Sequence, residues 1–252
     1  MAIDKLEQRI VNLLEGDNND DPQTIAAGFD EAGHSALDRA LLQVRARSFN
    51  PKLLADGIKS ICTPPTEDVQ VLEVGCNMGA KTQLLLGILK ELECANPHII
   101  GVDLSKTAIE LAKKLNNFEN VEYVCADFLT MDIEPESMDY VFLAAVWHHI
   151  RDTRAAIEKI ERSLKPNGVA VIFNGFYPEQ QILRIFALLL QRLYRFIEKR
   201  NGIYYTKPLV SDVKQLLGER ESLQYKGDFQ TGFPSSLFNT RMIVSQKNRE
   251  LP

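Results

Sequence analysis

The chain has 252 residues, 45% hydrophobic and 25% charged, and its 29 Lys+Arg against 34 Asp+Glu leave a net charge of -5. This is the composition of a folded chain with one main domain and modest additions, which excludes the disordered and fibrous classes. A net negative balance supplies no general attraction for phosphate backbones, so nucleic acid is not an expected partner.

Residues 1 to 16 place Ile3, Leu6, Ile10, Leu13 and Leu14 near helical spacing, and the polar run Asp17 to Pro22 follows as a linker or exposed loop. The pattern is helical again over 30–48 and 51–61, with Pro51 suited to a first helical position and Pro64-Pro65 closing the segment. After Pro65 short apolar runs alternate with helical stretches, the behaviour of a parallel sheet covered by helices. Strands are expected at 69–74, 98–103, 121–125, 138–144 and 168–174. Helices are expected at about 80–92, 105–116 and 152–164, with Ser105 as an N-cap and Lys165-Pro166-Asn167-Gly168 as a stop and turn. A long helical stretch over 179–200, a helix at 209–217 and two β-rich runs at about 222–230 and 236–246 complete the chain.

The four cysteines, Cys62, Cys76, Cys94 and Cys125, form no Cys-x-x-Cys pair and have no histidines at metal-ligand spacing. Free thiols in a reduced, cytoplasmic chain with no metal site are expected. The first ten residues include Asp4 and Glu7 and lack a signal-like apolar core. The most apolar stretch, Ile182 to Leu190, is far shorter than the roughly 20 residues that span a bilayer. No transmembrane segment is expected.

The most informative segment is Val71-Leu72-Glu73-Val74-Gly75-Cys76-Asn77-Met78-Gly79-Ala80. Glycines directly after a buried strand let the backbone turn sharply and approach a ligand. A dinucleotide fingerprint needs glycines at offsets 0, 2 and 5, where this chain has Gly75, Asn77 and Ala80. A carboxylate at Glu73 also repels a pyrophosphate, while it suits a ligand carrying an ammonium or sulfonium. The Gly-Lys-Ser/Thr of a phosphate-binding loop is absent.

Residues 69 to 174 resemble the core of the class I S-adenosylmethionine-dependent methyltransferases of the small-molecule type. Their first motif is an acidic residue, a spacer and Gly-x-Gly-x-Gly; Glu73, Gly75 and Gly79 match it, with Asn77 at the middle glycine. The resemblance implies a cofactor site made by Glu73, Gly75, Cys76, Asn77 and Gly79. Asp103 and Leu104 at the end of the second strand would hold the ribose hydroxyls, and Asp127 and Phe128 would hold the adenine. Ala144 ends the fourth strand, before Trp147-His148-His149. Cys76 and Cys125 themselves are read as inert packing thiols.

Departure of a neutral thioether needs no acid, so the protein's task is alignment, with a base only where the nucleophile loses a proton. His148 and His149 are the candidates for that base, or else backbone and solvent partners. Trp147 divides between core packing and a substrate wall; Tyr177, Tyr204 and Tyr205 are further candidates for the substrate pocket. The Asp/Asn-Pro-Pro-Tyr/Phe motif used on exocyclic amines is missing, which again favours a metabolite. The insertion over 176–207 carries an apolar stripe with Arg184, Arg192, Arg195, Lys199 and Arg200 between, and reads as a lid or homodimer helix. Contact with an apolar, lipid-like substrate or a membrane surface is the alternative.

The expected architecture is α/β: a doubly wound, Rossmann-like seven-stranded sheet with its last strand pair antiparallel, N-terminal helices and a helical insertion after strand five. An N-terminal helical segment, 1–65, would precede a methyltransferase domain, 66–252. The expected function is methyl transfer from S-adenosyl-L-methionine, leaving S-adenosyl-L-homocysteine, to oxygen, nitrogen or carbon of a small molecule. An NAD-dependent oxidoreductase and a non-catalytic S-adenosylmethionine-binding protein are the alternatives.

Overall fold

A strand buried at every position folds only where both sheet faces are covered, and Met138–Ala144 is buried throughout, its one charged residue Asp139 paired with Lys165. In the computed structural model, which describes residues 2–15, 27, 49–116, 118–198, 209–235 and 238–248, it is the centre of a seven-stranded sheet. The strands are β1 (Gln70–Val74), β2 (His98–Asp103), β3 (Val121–Cys125), β4 (Met138–Ala144), β5 (Leu164–Phe176), β6 (Leu223–Ser235) and β7 (Phe238–Lys247). Their order is β3-β2-β1-β4-β5-β7-β6. The first five are parallel, and β7 runs antiparallel between β5 and β6. The expected terminal hairpin is therefore present.

The described helices are α1 (Ala2–Glu15), α2 (Pro51–Ile61), α3 (Ala80–Glu91), α4 (Lys106–Leu115), α5 (Thr153–Ser163), α6 (Gln181–Glu198) and α7 (Val210–Gly218). Alternate residues of β4 serve opposite faces. Tyr140, Phe142 and Ala144 pack with Leu54 and Ile58 of α2 and Leu85 and Ile88 of α3. Val141 and Leu143 pack with Ile157 and Ile160 of α5 and Val213 and Leu217 of α7. Helix starts follow local chemistry: Asn50 caps α2 ahead of Pro51, and the Ser105 hydroxyl accepts from the Ala108 amide at 3.0 Å.

One expectation needs correction. Lys165 to Gly168 is not a turn that precedes the strand, because β5 already begins at Leu164. Pairing jumps from Met138 with Leu164 to Tyr140 with Val169, so the intervening residues bulge from the ladder, with Asn167 at φ 64°. The helix expected over residues 1–16 is present as α1, and only part of its apolar stripe is buried. Ile10 and Val11 are covered, while Ile3 and Leu6 are 46% and 50% exposed. The expected helix over 30–48 lies outside the described residues.

The N-terminal helix docks not on the sheet but on α6. Glu7 and Arg184, both largely buried, pair at 2.6 Å, and Gln181 donates to Asp4 and Glu7. Beneath them Ile10, Val11, Tyr177, Ala187, Leu188 and Leu209 form a small separate core. On the outer side of α6, Ile182, Leu183, Phe186 and Leu189 are exposed. Among the described residues no helix is long and apolar enough to cross a membrane, and no cluster of potential metal ligands occurs.

Candidate active site

In a doubly wound sheet the ligand crevice opens where the strand order reverses, here between β1 and β4. The loop leaving β1 is built to turn there. The amides of Gly75 and Cys76 both donate to the Val102 carbonyl, at 2.8 and 3.1 Å, and the Gly79 amide closes the turn on the Cys76 carbonyl. Gly75, Asn77 and Gly79 all have left-handed backbone, at φ 74°, 51° and 82°. Asparagine tolerates that region better than most residues, which explains how Asn77 stands where glycine was expected. Its amide donates to Asp103 Oδ2 at 2.9 Å.

Both glycines also make close approaches that a side chain would block. A Cβ on Gly75 would lie 2.7 Å from the Val146 side chain, and one on Gly79 2.3 Å from Asn116 Nδ2. Asn116, which the sequence did not signal, buttresses the loop from α4: its Nδ2 donates to the Met78 carbonyl at 2.9 Å.

Asp103 ends β2 and ties two backbones together, since its Oδ1 accepts from the Ser105 amide at 3.0 Å while Oδ2 holds Asn77. A carboxylate offers about four acceptor positions, so these contacts leave capacity for hydroxyl donors. Leu104 follows it, with its carbonyl accepting from the exposed Cys125 thiol. Asp127 caps a turn, its Oδ1 accepting from the Leu129 amide at 2.9 Å. Phe128 is buried, and the Lys159 ammonium lies 5.6 Å from its ring centroid. Cys76 is fully buried; burial first, then the charges of Glu73 and Asp103, push its thiol far above the ordinary range, consistent with inertness.

Glu73 lies under the loop with no exposed surface. Its Oε2 accepts from the Thr82 hydroxyl at 2.6 Å, and Oε1 is buried without a partner. Burial raises its carboxyl to about 7, against the opposing pull of Thr82 and Lys81. Lys81 is the residue that sequence reading missed. From the first turn of α3 its ammonium donates to the carbonyls of Gly75 and Ala144, bridging the ends of β1 and β4. Burial lowers its pKa, with Glu73 and Asp103 opposing the shift. One signal was available: a lysine in the first turn of a helix runs against the macrodipole.

The residues after β4 turn back through Ala145, at φ 50°, into a short 3-10 turn, Trp147–His149. The two imidazoles lie with centroids 4.0 Å apart and their planes tilted by 45°. His148 Nδ1 lies 3.0 Å from Oδ1 of Asn174 on β5. Burial, and to a lesser degree the Lys81 charge, lower His148 to about 4, against the pull of Asn174. His148 is therefore a neutral imidazole near pH 7.

Trp147 and Tyr177 stand differently from the substrate walls expected of them. Trp147 is 2% exposed and packs in the core with Phe128, Ile150 and Ile157, so it anchors the turn that carries the histidines. Tyr177 is buried in the contact between α1 and α6. Tyr204 and Tyr205 lie outside the described residues. The structure thus gathers the β1 loop, Asp103, Lys81 and Ala144 at one crevice.

Comparison with known proteins agrees with this geometry. Residues 72–172 match the family model described as a methyltransferase domain. A carboxy-S-adenosyl-L-methionine synthase of Actinobacillus succinogenes is 34% identical over 115 residues, covering 44% of this chain and 46% of that protein. A malonyl-[acyl-carrier protein] O-methyltransferase of Priestia megaterium is 34% identical over 110 residues, covering 44% and 38%. The matched segments thus span half or less of these two relatives. Among solved structures, a methyltransferase in complex with the Haloferax volcanii Trm112 methyltransferase activator superposes with TM-score 0.63. It is 14% identical, and the match covers 90% of this chain and 99% of that one. The sheet order and these matches make residues 72–172 similar to a methyltransferase domain, within a fold shared by solved methyltransferases.

Proposed function

We propose that the protein transfers the methyl group of S-adenosylmethionine to a small-molecule acceptor, with His148 as the residue that takes the acceptor's proton where one must leave. The observation that carries the reading is the glycine loop after β1 lying over the buried Glu73, whose Oε1 has no partner. Lys81 takes the carbonyls of Gly75 and Ala144 and so ties the ends of β1 and β4 on either side of the crevice. The cofactor carries an ammonium and a sulfonium, and Oε1 of Glu73 supplies an acceptor of the matching sign beneath the loop. Asp103 has acceptor capacity for the ribose hydroxyls. These residues fit the cofactor.

The bound cofactor supplies an electrophilic methyl carbon and a sulfur that leaves as a neutral thioether. The chain's own residues do the rest. The Gly75–Gly79 loop and Asp103 fix the position of the cofactor; the crevice wall at Ala144 to His149 holds the nucleophile in line, where orientation supplies most of the acceleration. A neutral imidazole at His148 is in the protonation state that a base requires. Names of the relatives, a carboxy-S-adenosyl-L-methionine synthase and an O-methyltransferase of a malonyl carrier protein, support an acceptor other than nucleic acid. The exposed apolar residues of α6 support an acceptor with apolar character.

Calorimetric titration with S-adenosylhomocysteine and with NAD tests the cofactor: tight binding of the first alone is expected, and binding of NAD alone overturns the reading. Labelled methyl transfer to a metabolite panel then tests catalysis. Cofactor binding with no turnover on any acceptor would favour a non-catalytic binding module.

A further inference from the structure

We infer that Asn174 is a positioning residue that locks His148 in the tautomer with its proton on Nδ1, making Nε2 the basic nitrogen of the site. The inference deepens the assignment of His148 as base and rests on it only for its catalytic meaning. Its grounds are local and geometric.

Asn174 is 1% exposed near the end of β5, after the apolar run Val169 to Phe173. A buried primary amide has two chemically opposite ends, and here both are engaged. Its Nδ2 donates to the Gly175 carbonyl at 2.8 Å, while its Oδ1 faces His148 Nδ1 at 3.0 Å. Turning the amide over would set its oxygen against the Gly175 carbonyl oxygen, two acceptors in contact. The orientation is therefore fixed by the backbone of β5 itself, independently of the histidine.

An amide oxygen carries no hydrogen, so the contact with Nδ1 is a hydrogen bond only if Nδ1 bears the proton. A neutral imidazole has one N–H, and the lone pair then belongs to Nε2. Burial keeps the ring from taking a second proton near neutral pH, with the ammonium of Lys81 acting in the same direction. His149, whose tilted ring lies against it, and Trp147, sunk in the core, restrict the turn that carries it. A histidine that must accept a proton from a substrate gains from this arrangement, because the accepting nitrogen is chosen before any ligand binds.

The test uses the full chain with 15N-labelled histidine and long-range 15N–1H correlation at pH 7. The native protein is expected to show the Nδ1–H pattern for one histidine, assigned as His148 by its loss in His148→Gln. In Asn174→Leu the pattern is expected to move toward Nε2–H, the form preferred by free imidazole. An Nε2–H pattern in the native protein overturns the inference, as does an unchanged spectrum in Asn174→Leu. Should Asn174→Leu fail to fold, the native spectrum decides alone. Loss of methyl transfer in His148→Gln tests the assignment of the base separately, so the two ideas fail by different measurements.

Discussion

Replacing Asp103 by Asn changes almost no volume and removes one accepting oxygen, and the geometry of the loop sets what that costs. Oδ1 and Oδ2 accept from the amides of Ser105 and Asn77 at 3.0 and 2.9 Å. In the variant an NH2 must face one of those donors, so one bond is lost and the other loses its charge assistance. Hydrogen bonds to charged groups contribute about 1.5–3 kcal/mol, which puts the loss of stability at about 2–3 kcal/mol. For a chain of this length about 1 kcal/mol moves Tm by about 2 °C, so a drop of about 4–6 °C is expected in a thermal scan. The same loop is the proposed floor of the cofactor site. S-adenosylhomocysteine should therefore bind about 1–3 kcal/mol more weakly by calorimetry, a factor of about 5 to 150 in Kd. A lowered Tm with Kd within twofold of native would refute the idea that Asp103 contributes to the cofactor site and leave it a purely structural tie.

Gly79→Ala should both destabilise the protein and abolish measurable cofactor binding, since its Cβ would meet Asn116 Nδ2 at 2.3 Å from a backbone at φ 82°. A variant with native Tm and Kd would show that the loop gives way freely. Glu73→Gln tests the buried carboxyl by pH. Its folded pKa, raised from 4.5 to about 7, means that the native fold holds a proton the unfolded chain has lost. Native stability therefore falls as pH rises from about 4.5 to 7, and the neutral variant escapes this loss. The Tm of Glu73→Gln minus that of the native protein should climb across that window and level off above it; a flat difference contradicts the shift. Ala145→Gly should stabilise by about 0.5–1 kcal/mol, because alanine is held there at φ 50° on an exposed turn. A Tm at or below native would show that this backbone carries no strain.

Much of this was legible in the sequence for identifiable reasons. The apolar run of β4, broken only by Asp139, required cover on both faces, and Gly75 and Gly79 announced a backbone that turns sharply. What stayed hidden depended on contacts distant along the chain. Lys81 reads as an ordinary surface lysine until β4 brings the Ala144 carbonyl within reach, 63 residues away. Asn174 gave a fainter signal, a lone amide after five apolar strand positions, but its partner His148 is fixed only by the β4–β5 pairing. Trp147 and Tyr177 were placed at the substrate because aromatic residues suit both walls and cores, and composition cannot choose between them. The helical period of residues 2–15 was clear, yet it carries no record of the surface that the apolar face meets.

That surface gives the fold an unusual lever. Glu7 and Arg184 are 177 positions apart, so α1 must wait for α6 to be synthesised before it finds its mate. It clasps the segment that follows β5 rather than the crevice assembled from residues 70–174. Breaking this clasp with Glu7→Ala should then act as a handle on α6 alone, altering which acceptors are admitted while affinity for S-adenosylmethionine stays as it was.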